Sequence, residues 1–254
     1  MRYALADSLV LARRSLLRIP RQPDLVLAFT IQPIMFTLLF VYVFGGAIRT
    51  PGFDYIDFFL PGIVIQMIAF TGYATALGIS DDLRKGLIDR FRSLPMARSA
   101  VLAGRTLSDV GMNVIATVTM VAFGLIVGFS FDASAADIAA GVGLILLFGY
   151  AMSWVYAFIG LISSTPESAS ALITIVIFPL TFVSSVYVPT DSMPAVLKAI
   201  ANANPVTTFV DALRALWIGT PAGSDVWVAI LWAVGISAVF SVLATTRYRR
   251  TVAR

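Results

Sequence analysis

The chain carries 18 Lys and Arg and 14 Asp and Glu in 254 residues, but no His and no Cys. Without imidazole or thiol it lacks the common zinc ligands, a haem-ligating His, a thiol nucleophile and a Ser–His dyad. Its two lysines, Lys85 and Lys198, lie in no glycine-rich strand-to-helix turn, and no G-x-x-x-x-G-K-[ST] phosphate loop occurs. If the chain depends on ATP, another polypeptide binds it. The ionisable residues that stand out are one dense cluster and one isolated carboxylate. The cluster reads Asp81-Asp82-Leu83-Arg84-Lys85-Gly86-Leu87-Ile88-Asp89-Arg90-Phe91-Arg92-Ser93-Leu94-Pro95-Met96. Leu83, Leu87, Phe91 and Leu94 recur at helical spacing on one face, with Arg84, Lys85, Asp89 and Arg92 on the remainder. The spacing predicts an amphipathic helix over 82–94, with Asp81 and Asp82 at its N-terminal end and Leu94-Pro95 as its stop. Such a helix buries its apolar stripe on lipid headgroups or on a partner protein. Gly86 in its interior costs roughly 1 kcal/mol relative to Ala, which close approach of another backbone would offset. The isolated carboxylate is Glu167, the only charge between Asp137 and Asp191. An ionised carboxylate at mid-membrane costs several kcal/mol, so Glu167 reads as a residue of a solvated turn rather than a buried ion site.

These groups must be positioned by membrane helices. Six stretches hold no Asp, Glu, Lys or Arg: Leu25–Ile48, Phe58–Ser80, Val110–Phe131, Ile138–Pro166, Ser168–Thr190 and Val226–Thr246. At about 1.5 Å rise per residue each crosses a hydrocarbon core of about 30 Å. Barrel strands are shorter and alternate in polarity, so the expected fold is an all-α integral membrane protein with six spans. The spans are drawn at about 25–48, 58–80, 107–131, 138–163, 171–190 and 226–246, following an elbow region at 1–24. The Lys and Arg residues divide fifteen to three between alternate connections, whereas the acidic residues divide evenly. The positive-inside rule then places both termini and the 81–109 loop in the cytoplasm. The net charge of +4 thus reflects topology and implies no nucleic-acid partner. Arg13-Arg14 ahead of an apolar run loosely resembles a twin-arginine signal, but the length of the run favours a retained first span.

Residues 1–24 interleave Leu5, Leu9, Leu16 and Leu17 with Arg13, Arg14, Arg18 and Arg21, and Pro20 and Pro23 end the segment. It reads as an interfacial helix, or as a basic tail that fixes orientation. Residues 189–225 are too polar to span and too apolar to float freely; two short helices are expected there, separated at Asn204-Pro205. Ser192 is expected to start the first, and Thr207 or Thr208 to cap the second. They either plug the outer end of a pathway or form a lid on the bundle, with Asn204, Pro205, Asp211 and Arg214 as the candidate gate residues. Gln66, Phe70 and Tyr73 in the second span, and Thr174, Phe178, Thr181 and Phe182 in the fifth, mix apolar and polar character. They could line a mostly apolar cleft or hydrogen-bond helix to helix. Gly124-Leu125-Ile126-Val127-Gly128 is a G-x-x-x-G with the same ambiguity.

Two segments carry a family resemblance. Gly86-Leu87-Ile88-Asp89-Arg90-Phe91-Arg92-Ser93-Leu94-Pro95-Met96 with Arg98 and Gly104-Arg105 is similar to an acidic-Gly-Leu-acidic-Arg-Leu-Pro signature. Phe178-Pro179 through Ser184-Ser185, Met193-Pro194, Asn204-Pro205-Val206-Thr207 and Asp211-Ala212-Leu213-Arg214 supply the second. In that order the chain resembles the permease subunits of ABC transporters of the drug- and polysaccharide-export class, daunorubicin-resistance type. Asp81-Asp82 departs from the Glu-rich lead-in of that class. The resemblance implies an ATP-driven exporter of a hydrophobic or amphipathic molecule in the bacterial inner membrane. The chain would pair with a second permease subunit and with cytoplasmic ABC ATPase subunits, and would itself hold no cofactor; ATP and Mg would sit on the ATPase. The resemblance puts an elbow helix at 3–20 and a coupling helix near 82–94. Asp82, Leu83, Gly86, Leu87, Asp89, Arg90, Phe91 and Leu94, with Glu167, would face the ATPase, and spans two and five would line the route. The competing expectations are a secondary transporter or channel acting without an ATPase partner, with Glu167 as coupling group, or a membrane scaffold or assembly factor. No carboxylate falls inside the uncharged runs, which argues against proton coupling.

Overall fold

The computed structural model describes residues 23–48, 52, 54–85, 98–220 and 224–252. Among these every regular element is helical. Helix α1 (Pro23–Leu38) runs into a π-helical turn, Leu39–Phe44. The second span is two helices, α2 (Tyr55–Thr71) and α3 (Tyr73–Arg84). Then come α4 (Arg98–Val127), α5 (Ala135–Ile162) and α6 (Pro166–Phe182). A 3-10 turn (Thr190–Ser192) and helices α7 (Ala195–Ala203) and α8 (Pro205–Ile218) precede the last helix, α9 (Asp225–Val252). Among the described residues four helical stretches are long and apolar enough to cross a membrane, Tyr55–Arg84 (α2 and α3 taken together across Gly72), Gly104–Val127, Ala135–Ile162 and Asp225–Tyr248; Ile31–Phe44 and Pro166–Phe182 are shorter apolar helices.

Local chemistry explains the boundaries. Ser134 caps α5 by accepting from the Asp137 amide, and Thr165 with Ser168 forms a reciprocal capping box ahead of Pro166 at the start of α6. Helix α4 ends where Gly128 takes a positive φ of 116° and the amides of Gly128 and Phe129 both return to the Gly124 carbonyl. Of the G-x-x-x-G pair, then, only Gly124 serves packing: a Cβ there would strike Leu60 of α2.

Several boundaries differ from those expected. The third span, drawn at 107–131, belongs to a helix that begins at Arg98 and ends at Val127. The second span does not stop at 80 but continues to Arg84, so Asp81 and Asp82 close a helix instead of opening one. Local ion pairs make this possible: Asp81 accepts from Arg84 at 3.0 Å and from Lys85 at 2.5 Å, while Asp82 is paired with Arg105 at 3.0 Å. The fifth helix covers Pro166–Phe182 and not 171–190, because the chain turns away after Val183 and the freed carbonyls of Leu180 and Val183 are taken by the Asn204 amide, at 2.6 and 2.7 Å. The cap of α8 is Asn204, whose side chain accepts from the Val206 amide, and not Thr207 or Thr208; α7 begins after Pro194 with no side-chain cap, Ser192 lying in the 3-10 turn.

Helix α5 is the axis of the fold, touching α2, α3, α4, α6, α8 and α9. Ile145, Phe148, Met152 and Tyr156 are buried on it, and together with α2, which buries Phe59, Leu60, Ile65 and Ile68, it builds the main core. The surrounding helices show the opposite pattern. Helix α9 turns Ala229, Ala233 and Ala244 inward, all fully buried, and leaves Trp227, Leu231, Val234, Val239 and Val242 exposed. Helix α4 exposes Val114, Ile115, Val118, Leu125 and Ile126. Apolar surface of this extent is unfavourable against water and favourable against lipid tails, so these faces are where a bilayer belongs.

Candidate functional site

Helices α4 and α2–α3 run antiparallel in a register readable from side-chain contacts. Arg105 meets Asp82, Asp109 meets Thr75, Asn113 meets Thr71 and Gly124 meets Leu60. Polar pairs fill the half near Arg84 and apolar contacts the other half. Asp109 is buried, and the Thr75 hydroxyl lies 2.8 and 2.9 Å from its two oxygens. One turn along, fully buried Asn113 accepts from the Thr71 hydroxyl at 2.6 Å, and its amide nitrogen rests against Gly149 of α5, where a Cβ would collide with it. Thr117 follows one turn further on the same face, also buried. Charge counting hid this column: Asp109 stands one residue before the third uncharged run, and although the span drawn at 107–131 includes it, a count of uncharged residues gives it no role. The signal that could have found it is the i, i+4, i+8 recurrence of Asp109, Asn113 and Thr117. The expectation that no carboxylate lies within a span is thereby corrected.

At the opposite end a second network ties α8 to α2 and to the turn after α6. Arg214 is buried and donates to the carbonyls of Phe58 at 3.0 Å and Ser185 at 2.7 Å and to Asp211 Oδ1 at 3.0 Å, with its guanidinium 3.5 Å above the Phe58 ring. Burial pushes the guanidinium down to about 10, with Asp211 opposing, so it stays a cation at neutral pH. Asp211 also accepts from the Ser185 hydroxyl at 2.8 Å, and Thr207 accepts from the Ser185 amide at 3.2 Å. Of the four residues expected at an outer gate, Asp211 and Arg214 pair with each other, whereas Asn204 and Pro205 stand at the start of α8; Asn204 and Arg214 each join α8 to neighbouring chain segments at different points along it.

The residues expected along a pathway divide. Gln66 is buried and accepts from the Tyr187 hydroxyl at 2.6 Å; Phe182 lies against the same Tyr187 ring, centroids 5.1 Å apart, so Tyr187 links span two to span five. Phe178 stacks on Phe182 at 4.1 Å, and both are exposed, together with Ile175 and Val176, on the outer face of α6. The Tyr73 hydroxyl is 2.5 Å from Ser170 Oγ, and Phe70 is half-buried. Thr181 is fully buried and returns its hydroxyl to the Ile177 and Phe178 carbonyls; exposed Thr174 does the same to Ser170. Tyr187 carried no sequence signal beyond its aromatic type.

Of the coupling residues, Asp82 and Leu83 are half-buried in the last turn of α3, and Glu167 is exposed in the first turn of α6, where the helix dipole favours a carboxylate. Gly86, Leu87, Asp89, Arg90, Phe91 and Leu94 lie outside the described residues, as does the 3–20 elbow.

A helical bundle with lipid-suited faces, polar groups drawn into its interior and no phosphate loop in its sequence is the architecture of a membrane transport subunit. The comparison with known proteins specifies which. The family profile described as ABC-2 type transporter matches residues 7–217, and the chain belongs to that family. It is similar to the daunorubicin resistance ABC transporter permease protein DrrB1 of Streptomyces coeruleorubidus, 34% identical over 236 residues, covering 93% of this chain and 83% of that one. It is also similar to the probable doxorubicin resistance ABC transporter permease protein DrrC of Mycobacterium tuberculosis, 23% identical over 98% of this chain and 90% of the other. A putative transport permease, ycf38, of Cyanophora paradoxa is 25% identical over 85% of this chain and 75% of its own length.

Proposed function

We propose that this chain is the permease subunit of an ATP-driven exporter, moving a hydrophobic or amphipathic molecule out of a bacterial cell through the inner membrane. The observation that carries the reading is the family match across most of the chain, with relatives named for daunorubicin and doxorubicin resistance. In this reading the chain spans six times, with residues 1–24 and the 81–109 loop in the cytoplasm. The 82–94 stripe docks on an ABC ATPase that holds ATP and Mg, and a second permease subunit completes the route. Support for the docking comes from α3, which delivers Leu83 and Arg84 to the basic end of the bundle directly before Gly86. Support for the route comes from the exposed aromatic face of α6, where Phe178 and Phe182 stack. Residues 189–220 are tied to the bundle by Arg214 and Asn204, which suits a gate or cap more than a receptor for a soluble binding protein.

Buried Asp109 favours one other reading, a secondary transporter in which that carboxylate, rather than Glu167, carries the coupling ion. One experiment separates them. Purified with its ABC ATPase and reconstituted, wild-type protein transports only with ATP under the first reading, and Leu87→Asp or Phe91→Asp keeps insertion while breaking the link between hydrolysis and transport. Transport driven by an ion gradient without ATP establishes the second.

A further inference from the structure

We propose that Thr71–Gly72 is a built pivot in span two, about which the half-helix α3 swings as a lever while α2 stays fixed, with Thr75–Asp109 as the latch that holds the conformation described here. The role of this pivot in transport rests on the permease reading; its existence does not.

The first argument is a backbone account. A helix that breaks inside a membrane leaves carbonyls that no water can satisfy, so each must find a partner in the protein. Here the partners are supplied. The Ala69 carbonyl accepts from the Tyr156 hydroxyl of α5, the Ile68 carbonyl shares the Thr71 hydroxyl, at 2.8 Å, with Asn113, and the Phe70 carbonyl accepts from the Gly72 amide. A new helix then starts on the Gly72 carbonyl, which receives the amides of Thr75 at 3.0 Å and Ala76 at 3.2 Å. Tyr156 fills the break as well as bonding to it: its ring occupies the space that a Cβ on Gly72 would need. A break with this many dedicated partners is a feature of the fold.

The second argument is the contrast between the two halves. Fourteen residues of α2 are buried, and its outer end is joined to other elements by Arg214 on the Phe58 carbonyl and Tyr187 on Gln66. Helix α3 buries only four residues, with Ala76 and Ile79 packed against Gly160 of α5, and its remaining ties are side-chain polar pairs: Tyr73 with Ser170, Thr75 with Asp109, and Asp82 with Arg105. Interlocked apolar packing resists sliding, whereas hydroxyl and carboxylate contacts can be exchanged for neighbouring ones of similar strength. Among the described residues the buried side-chain groups without a hydrogen bond are the Asn113 amide nitrogen, the Thr117 hydroxyl and the Ser237 hydroxyl, and of these Asn113 lies beside the break. Its amide is an idle donor in this conformation, available to a helix that has moved.

Geometry sets the scale. The twelve residues of α3 make a lever about 18 Å long, so each 10° of tilt at Gly72 moves Arg84 by about 3 Å. That end is continuous with the segment proposed to dock on the ATPase.

The chain's lack of cysteine makes the test direct. Spin labels at Arg84 and Ile162 report on the lever against α5, and labels at Asp54 and Ala136 report on the fixed outer half; all four positions are exposed. In the permease alone, Tyr156→Phe removes the partner of the Ala69 carbonyl and Asp109→Leu removes the latch. Each should shift or broaden the inner distance distribution by 3 Å or more and leave the outer one unchanged. Inner distributions equal to wild type in both variants overturn the pivot, and so does an outer pair that shifts as much as the inner one. Adding the ATPase with ATP tests the permease reading separately: a lever that responds to the variants but never to nucleotide keeps the pivot and counts against ATP coupling.

Discussion

Replacing Arg214 with Met should loosen the outer half of the bundle more than any exposed charge change. The wild-type side chain makes three charge-assisted hydrogen bonds, at 2.7–3.0 Å, and covers the Phe58 ring. Bonds of this kind are worth about 1.5–3 kcal/mol each, but they do not add, because the substitution also removes a buried cation and its desolvation cost. Phe58 keeps its place in a helical ladder, and Asp211, with its side chain 40% exposed, recovers solvent, so the Ser185 carbonyl is the group most fully stranded. Breaking a buried pair costs about 3–5 kcal/mol, and with these two offsets the low end applies, about 3 kcal/mol. For a chain of this length about 2–4 °C is lost per kcal/mol, giving a fall in Tm of roughly 6–12 °C. Heating in detergent followed by fluorescence-detected size exclusion measures it. Arg214→Lys, which keeps the charge but cannot fork across three acceptors, should fall between the two. A Tm within 2 °C of wild type for Arg214→Met would refute the claim that this network fixes α8 to α2.

Other consequences are checked in the same preparation. Gly62→Ala places a Cβ 2.5 Å from the Val186 carbonyl oxygen and should cost about 1–3 kcal/mol by overpacking, whereas Gly143→Ala, with open space around it, should be neutral or slightly stabilising in the same melt. Lys198, by hydrogen bond and charge, holds the exposed Asp191 carboxyl below its ordinary 3.8, so the contribution of this pair is present above that value and is lost only as pH falls through the depressed one. Protection of the Ala195–Ala203 amides, taken relative to the intrinsic exchange rate at each pH, should therefore be the same at pH 7 and pH 5; loss of that protection already at pH 5 would contradict the assignment. Cysteine at Phe178 should react with a lipid-soluble maleimide and be protected by cargo, while cysteine at buried Thr181 should not react. Equal labelling at both positions, indifferent to cargo, would remove α6 from the route.

The spans were legible wherever apolar character and charge coincide with helix ends, as at Ser134 and Asp137 for α5 and at Asp225 for α9. They were misread wherever charge is neutralised locally. Asp81 looked like a helix start because its partners, Arg84 and Lys85, lie downstream at i+3 and i+4, the spacing that also lets a helix continue. Asp109 drew no role from the sequence because its partner Thr75 is 34 residues away and only tertiary packing brings them together. The helix pair at 195–218 followed from Pro194 and Asn204-Pro205, but its cap did not. An Asn before a Pro is as good a cap by type as Thr207 or Thr208, and only the position of Val206 decides between them. The break at Gly72 carried no warning, since a glycine in a membrane helix is common and Tyr156, which makes the break tenable, belongs to another span.

The most direct test of the central claim is transport in inside-out vesicles containing this chain, its ABC ATPase or both, with daunorubicin as the probe cargo. The account predicts ATP-dependent accumulation inside the vesicles only when both proteins are present, abolished by Leu87→Asp. Accumulation by this chain alone, or by both proteins without ATP, would contradict it.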